Sequence, residues 1–159
     1  MTRSGIGYDS HRLAAGRRLI IGGVEIPHEL GLDGHSDSDV LTHAVIDALL
    51  GAAGLGDIGE HFPDTDERWR DADSIELLIA VVGMLAGAGL EIVNVDCTVI
   101  MEAPKLAGHR RAIRERLAAA TGLESDRVNV KATTGERMGF VGRGEGVAAL
   151  ATVSLRDAG

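Results

Sequence analysis

Apolar residues recur along this chain with two periods. Over 40–49 they fall at Val40, Leu41, Ala44, Val45, Ala48 and Leu49. That spacing is one face of a helix, and it closes at a glycine, Gly51 or Gly54. A second helical stripe, Ile75, Leu78, Ile79, Val82 and Leu85, follows "DADSIE", where Asp73 and Glu76 have capping-box spacing. A third helix is predicted from about Leu106 to Ala120, ending at Gly122. Elsewhere the period drops to two. A strand is predicted over Ile6 to His11, and "RRLIIGGVEIP" sets two β-branched runs about Gly22-Gly23, which predicts a hairpin ended by Pro27. "EIVNVDCTVIM" places Val93, Val95, Cys97, Val99 and Met101 on one face and Asn94, Asp96 and Thr98 on the other. Two more strands are expected near Arg127 to Thr133 and Val147 to Leu155. Residues 55–70, "LGDIGEHFPDTDERWR", follow neither period and predict a long loop, which in a compact domain is usually functional.

Strands and helices alternate in the second half, and a hairpin is inserted early. The expected fold is one α/β domain over 1–159, with helices on one face of a mixed sheet. In the last strand both alternating sets are small or apolar: Val147, Ala149, Ala151 and Val153, but also Ala148, Leu150 and Thr152. Oligomers packed through their sheets would explain this, and so would a strand buried within the monomer on both faces.

Charge narrows the function classes. The net charge is −8, which argues against a nucleic-acid partner held through its phosphates. An anionic substrate would need local compensation by metal ions or a few placed cations. No apolar run is long enough to predict a membrane span, and the residues before His11 are too few and too polar for a targeting peptide. The single cysteine, Cys97, cannot form an internal disulfide. A cytoplasmic location is expected.

Asp9 and His11 lie two apart on the first strand and so share a face. His43 lies on the predicted polar side of the first helix, with Asp39 and Asp47 one turn to either side. Three nitrogen and oxygen donors with an open fourth position suit catalytic zinc, and Asp47 could fix the tautomer of His43. An Asp9–His11 ion pair beside a solvated His43 is the competing reading, and spacing leaves both open. In "DGHSDSD", Asp37 and Asp39 are cap candidates. "NVKATTGE" offers two hydroxyls, a cation and a carboxylate, a set that suits phosphates and a bridging divalent ion. "GRGEG" lacks the Lys-Ser/Thr of a phosphate-binding P-loop, no Gly-x-Ser-x-Gly elbow occurs, and Cys97 sits mid-strand. With no protein nucleophile in view, metal-assisted chemistry on a phosphate fits better.

The stretches "GYDSHRL", "IIGGVEIPHELGLDGHSDSDVLTHAVIDALLGAAGLGDIGEHFPDTD", "EAPK" and "VNVKATTGERMGFVGRGEGVAA" resemble the 2-C-methyl-D-erythritol 2,4-cyclodiphosphate synthase family over nearly the whole chain. The resemblance implies a ferredoxin-like α/β fold in a homotrimer with sites between subunits. It implies cyclisation of 4-diphosphocytidyl-2-C-methylerythritol 2-phosphate with release of CMP, in the non-mevalonate isoprenoid pathway. Asp9, His11 and His43 match zinc ligands, and Glu136 matches the carboxylate holding a second divalent ion, Mg²⁺ or Mn²⁺. These four and Thr134 form the implied catalytic set. His35 and Ser36 match phosphate contacts, and Asp57, Gly59 and Asp64 match the loop holding the methylerythritol hydroxyls. Ala103, Pro104, Lys105, Leu106, Ala132, Thr133 and Thr134 match the neighbouring subunit's cytidine-diphosphate pocket. Phe140 and Arg143 match the lining of a central cavity in which an isoprenoid diphosphate could sit. The chain departs from the family pattern at Gly135, where a third Thr is usual, and Leu150 stands where some relatives carry a polar residue. Two rival functions are a related metal-dependent phosphohydrolase and a non-catalytic metal-bound trimer that binds isoprenoid diphosphates.

Overall fold

A computed structural model describes residues Met1–Gly159. β1 (Thr2–Ala15) leads into a short ladder of β2 (Ile20–Ile21) with β3 (Val24–Glu25), and then into β4 (Leu30–Leu32). There follow α1 (Val40–Ala53), the one-turn α2 (Ile58–His61), α3 (Ser74–Gly87), β5 (Leu90–Ile100) and α4 (Arg110–Thr121). β6 (Val128–Thr133), the one-turn α5 (Gly139–Gly142) and β7 (Gly146–Asp157) complete the chain. The main sheet has the order β4-β1-β7-β5-β6. All its neighbours are antiparallel except β5 and β6, a parallel pair joined by the α4 crossover.

The mixed sheet and its helices match the expectation, but the ferredoxin-like connectivity does not. That pattern runs β-α-β-β-α-β. Here α4 separates β5 from β6, and β6 and β7 come last, which puts two parallel strands side by side.

β1 sorts its residues by parity. Its register with β7 runs from Thr2↔Arg156 to Arg12↔Gly146. Gly5, Gly7, Asp9 and His11 face α1, whereas Ile6 and Tyr8 point away and are 70% and 53% exposed. Tyr8 lies opposite Leu150, which is also exposed. Val147, Ala149, Ala151, Val153 and Leu155 are buried on the helix side of β7. On the other face Ala148 is buried but Leu150 and Thr152 are exposed, so β7 is not buried on both faces along its length within the monomer.

α1 is not the amphipathic helix that its pattern predicts. It lies between the sheet and α3 and is buried almost all round, His43 included at 9% exposure. Leu41, Ile46, Leu49 and Leu50 are fully buried there, each stabilising by about 2 kcal/mol relative to exposure. Asp39 caps the helix by accepting from Thr42 N (3.1 Å) and Thr42 Oγ1 (2.7 Å). The same carboxylate accepts from Gly22 N (2.8 Å) and Gly23 N (2.6 Å), both at positive φ, and so ties the β2–β3 turn to the helix start.

Three local expectations shift. The buried stripe of α3 is Ile75, Leu77, Leu78, Val81 and Leu85; Ile79 is exposed and Val82 half-buried. A bulge between Ile92 and Asn94 takes Val93 out of the alternation in β5, so Leu90 joins the core instead. α4 begins at Arg110 rather than Leu106, because Leu106 leaves a turn to pack inward.

Candidate metal centre and substrate cavities

The close approach of α1 to β1 builds the centre. Asp9 Oδ2 lies 2.9 Å from His11 Nε2 and 3.0 Å from His43 Nδ1. The two ring nitrogens are 3.3 Å apart. All three donor atoms lie within 4.8 Å of one another, the arrangement of a metal site. His11 Nδ1–H donates to the carbonyl oxygen of Asp33 (2.9 Å), which leaves the Nε2 lone pair facing the cluster. His43 turns its other nitrogen, Nε2, to Ser74 Oγ (2.7 Å), with Ser36 Oγ at 3.3 Å. Without a metal, burial opposes ionisation of Asp9, but hydrogen bonds from His11 and His43 outweigh it and hold the carboxyl at about 2; a bound cation would take the place of those protons. Burial opposes charge on His11 too, yet the Asp9 carboxylate raises its pKa. One anion and two imidazole lone pairs converging on one point fit a divalent cation of the zinc type.

Asp47 does not orient His43. It accepts from Ile58 N (2.8 Å) and starts α2, and burial raises its pKa. His43 is likewise no solvated helix residue.

The 34–36 segment passes directly over His11. A Cβ on Gly34 would press on Ser38 Oγ and lie 3.1 Å from His11 Nδ1. Arg17 holds this segment by donating to the carbonyls of Leu32 (3.2 Å), Gly34 (3.1 Å) and Ser36 (2.8 Å). His35 Nε2 lies 3.2 Å from the Asp66 carbonyl.

A cavity of about 450 Å³ opens on the cluster and brings Asp9, His11 and His43 together with His35, Ser36, Gly59 and Asp64. Its other wall is apolar: Ile58, Phe62, Trp69 and Leu77. Phe62 and Trp69 meet edge to face, with centroids 5.0 Å apart. Asp57 is not among the residues lining this cavity; it caps α2 by accepting from Glu60 N (3.0 Å).

A second cavity, of about 190 Å³, brings Pro104, Lys105, Leu106, Ala132, Thr133 and Thr134 together with Glu102 and Arg110. Ala103 and Glu136 lie outside its lining. The two cavities share no residue. Glu136 and Arg137 both have positive φ, 52° and 61°. Glu102 Oε1 pins their turn by accepting from Gly135 N (2.8 Å) and Arg137 N (3.3 Å). Thr134 Oγ1 donates to Glu136 Oε1 (3.3 Å). Gly135 has a steric reason: a Cβ there would come within 2.9 Å of Gly142 N and 3.0 Å of Met138 O. Phe140 lines a third cavity, beside His11, Arg12 and Glu145, and Arg143 pairs with Glu145 at 2.7 Å.

Ser74, Glu102 and the Phe62–Trp69 wall escape a reading of the sequence. Ser74 carries only the signal of a helix start. Trp69 falls in a stretch without period, which gives it no signal.

Known proteins resemble this chain over nearly its full length. The family model described as the YgbB family matches residues 2–156. The 2-C-methyl-D-erythritol 2,4-cyclodiphosphate synthase of Alkaliphilus oremlandii is 58% identical over 153 residues, covering 96% of this chain and 98% of that one. The enzyme of the same name from Methylobacillus flagellatus is 61% identical over 156 residues, covering 98% of each. Among solved structures, the bifunctional IspDF from Campylobacter jejuni superposes with a TM-score of 0.95 at 44% identity. That match covers 99% of this chain and 42% of the longer IspDF chain. A synthase structure described as a CDP-bound form superposes with a TM-score of 0.89 at 39% identity, covering 97% of this chain and 100% of that one.

Proposed function

Since the chain belongs to the YgbB family, we propose that its Asp9–His11–His43 cluster is the metal-binding end of a cyclodiphosphate synthase active site. The chain is an enzyme, and it forms 2-C-methyl-D-erythritol 2,4-cyclodiphosphate in isoprenoid synthesis. It acts on 4-diphosphocytidyl-2-C-methyl-D-erythritol 2-phosphate and releases CMP. The hydrolase and storage readings are not favoured, because the relatives that match along the full length carry the synthase name.

The reaction needs no side-chain nucleophile. An oxygen of the substrate's own 2-phosphate forms a bond to the β-phosphorus, and the bond from that phosphorus to the bridging oxygen breaks, so that CMP leaves with the electron pair. Cys97, the one thiol, is in the core, with its pKa pushed up to about 12 by burial.

Zinc at Asp9, His11 and His43, with Mg²⁺ or Mn²⁺ at Glu136, would neutralise charge developing on the phosphoryl oxygens. The chain's residues supply position. His35 and Ser36 contact phosphate, with Arg17 fixing the backbone beneath them. Asp57, Gly59 and Asp64 hold the hydroxyls of the erythritol. Ile58, Phe62, Trp69 and Leu77 keep water from its methyl side. Ala103, Pro104, Lys105, Leu106, Ala132, Thr133 and Thr134 hold the cytidine diphosphate, with Thr134 beside the reacting phosphates.

Two observations support a homotrimer with shared sites. The metal cavity and the cytidine cavity are separate within one chain. The sheet face carrying Ile6, Tyr8 and Leu150 is apolar and exposed. Phe140 and Arg143 then border an axial cavity that suits an isoprenoid diphosphate. The reading includes a cytoplasmic location, in keeping with a buried thiol that requires no oxidising compartment.

The convergence of Asp9, His11 and His43 carries the proposal. Turnover of the diphosphocytidyl substrate tests it. CMP with the cyclic diphosphate is expected. CMP with a linear product would make the protein a hydrolase, and binding without CMP release would make it a non-catalytic trimer.

A further inference from the structure

We propose that Asp37 and Ser74 are positioning residues that decide which ring nitrogen His43 offers to a divalent cation. The inference rests on the metal reading above and deepens it.

Ser74 opens α3 and is fully buried. Its hydroxyl is hydrogen-bonded to Asp37 Oδ1, and its backbone N–H donates to Asp37 Oδ2 (2.9 Å). An ionised carboxylate only accepts, so the one hydroxyl proton of Ser74 is committed to Asp37. Ser74 Oγ can then only accept from His43 Nε2, 2.7 Å away. His43 must therefore carry its proton on Nε2. In the neutral ring Nδ1 is then the nitrogen with the lone pair, and Nδ1 is the atom that faces Asp9 Oδ2 and His11 Nε2. His11 is fixed in the opposite tautomer by Asp33 O at its own Nδ1. The two rings thus present different nitrogens to one point, each held by a partner on its far side.

Helix capping alone does not account for this arrangement. Asp73 already caps α3 by accepting from Ile75 N (2.9 Å). Asp39 and Asp47, the other acids near His43 in sequence, are engaged with Thr42 and Ile58. Asp37 is also joined to the chain beside it: its N–H donates to Ala72 O (3.1 Å), and His35 O accepts from Asp71 N (2.9 Å). The segment bearing His35 and Ser36 is therefore fastened to the group that orients His43.

The test compares zinc-loaded wild type with Ser74→Ala and Asp37→Asn, by chelator competition and by nitrogen-edited NMR of the histidine rings. Ser74→Ala removes the acceptor, and zinc affinity should fall about 10–100-fold. Asp37→Asn keeps the shape, but its amide can donate to Ser74 Oγ. The hydroxyl then turns toward His43 Nε2 and selects the Nδ1–H tautomer, which has no lone pair for the metal. This variant should lose zinc at least as severely, and the Nε2–H resonance of His43 should disappear. Circular dichroism and thermal unfolding of the metal-free proteins report whether each variant folds. Folded variants that hold zinc within about twofold of wild type, against the loss expected of an orienting partner, and keep the Nε2–H signal would overturn the positioning role. So would variants that lose only stability. In both cases the metal reading would stand. Wild type that takes up no zinc would overturn the metal reading, and this inference with it.

Discussion

Gly7 on β1 packs directly against the carbonyl oxygen of Ala44 on α1, so closely that a Cβ on Gly7 would overlap that oxygen. Gly5 stands in the same relation to Ala48. A backbone helix oxygen cannot swing aside as a side chain can. Gly7→Ala should therefore destabilise the protein by about 2–3 kcal/mol or more, measured by urea unfolding. It should also weaken zinc binding, because moving α1 off the strand moves His43 away from Asp9. A variant as stable as wild type would show that the approach is not tight.

His43→Ala should abolish stoichiometric zinc, measured by elemental analysis, and turnover with it. The residue is 9% exposed and bonded to Ser74, so some loss of stability should accompany the change. Retention of full zinc occupancy would remove His43 from the ligand set.

Glu136→Gln should keep zinc yet lose most Mg²⁺-dependent activity, roughly two to three orders of magnitude in rate. Its backbone sits at φ 52° between Gly135 and Arg137, whose N–H groups donate to Glu102, and a Gln side chain can still accept from Thr134 Oγ1, so the substitution should leave the turn in place. Unchanged dependence on Mg²⁺ would place the second ion elsewhere.

Without metal, stability should depend on pH through the cluster. The Asp9 carboxyl is held at about 2 against an ordinary 3.8. Its contribution, about 2 kcal/mol, is present above pH ~4 and is lost as pH falls toward 2. His11 has a raised pKa, so its contribution is full below 6.5 and is lost as pH rises past that value. Urea unfolding of chelated protein should show greatest stability between these limits. Asp9→Asn should flatten both flanks, and a profile unchanged by it would count against the coupling.

Mixing inactive subunits tests the shared site. His43→Ala should be inactive through the metal half, and Lys105→Ala with Thr133→Val should be inactive through the cytidine half. Refolded together in equal amounts, they should recover roughly a quarter of wild-type activity, since random assembly restores that share of sites. Should the mixture stay inactive although subunits exchange, both halves belong to one chain.

Much of this was legible in the sequence because periods of two and near four report burial directly. α1 ends at Gly54, one of the two glycines its pattern allowed. Asp9 and His11 share a face as their spacing requires. What escaped has physical causes. A sandwiched helix is buried beyond its apolar stripe, so His43 read as polar-facing. The bulge at Val93 changes parity without marking the sequence. Residues 55–70 hide a helical turn and the Phe62–Trp69 wall, because elements of three or four residues are too short to show a period. The role of Ser74 depends on Asp37, far away in the chain, and no local pattern carries that.

The alternation of β1 has a consequence for insertions and deletions. The candidate metal site and the exposed apolar face are written on the same strand in alternate letters: Gly7, Asp9 and His11 face inward, Ile6 and Tyr8 outward. Deleting a single residue ahead of Ile6, with the start of the strand held in register, would bring Ile6 and Tyr8 beneath the carbonyls of α1 and turn Asp9 and His11 out to the opposite surface. Point substitutions can tune either face separately. A frame change of one residue would forfeit both together, so natural length variation should be tolerated in the loops and absent from this strand.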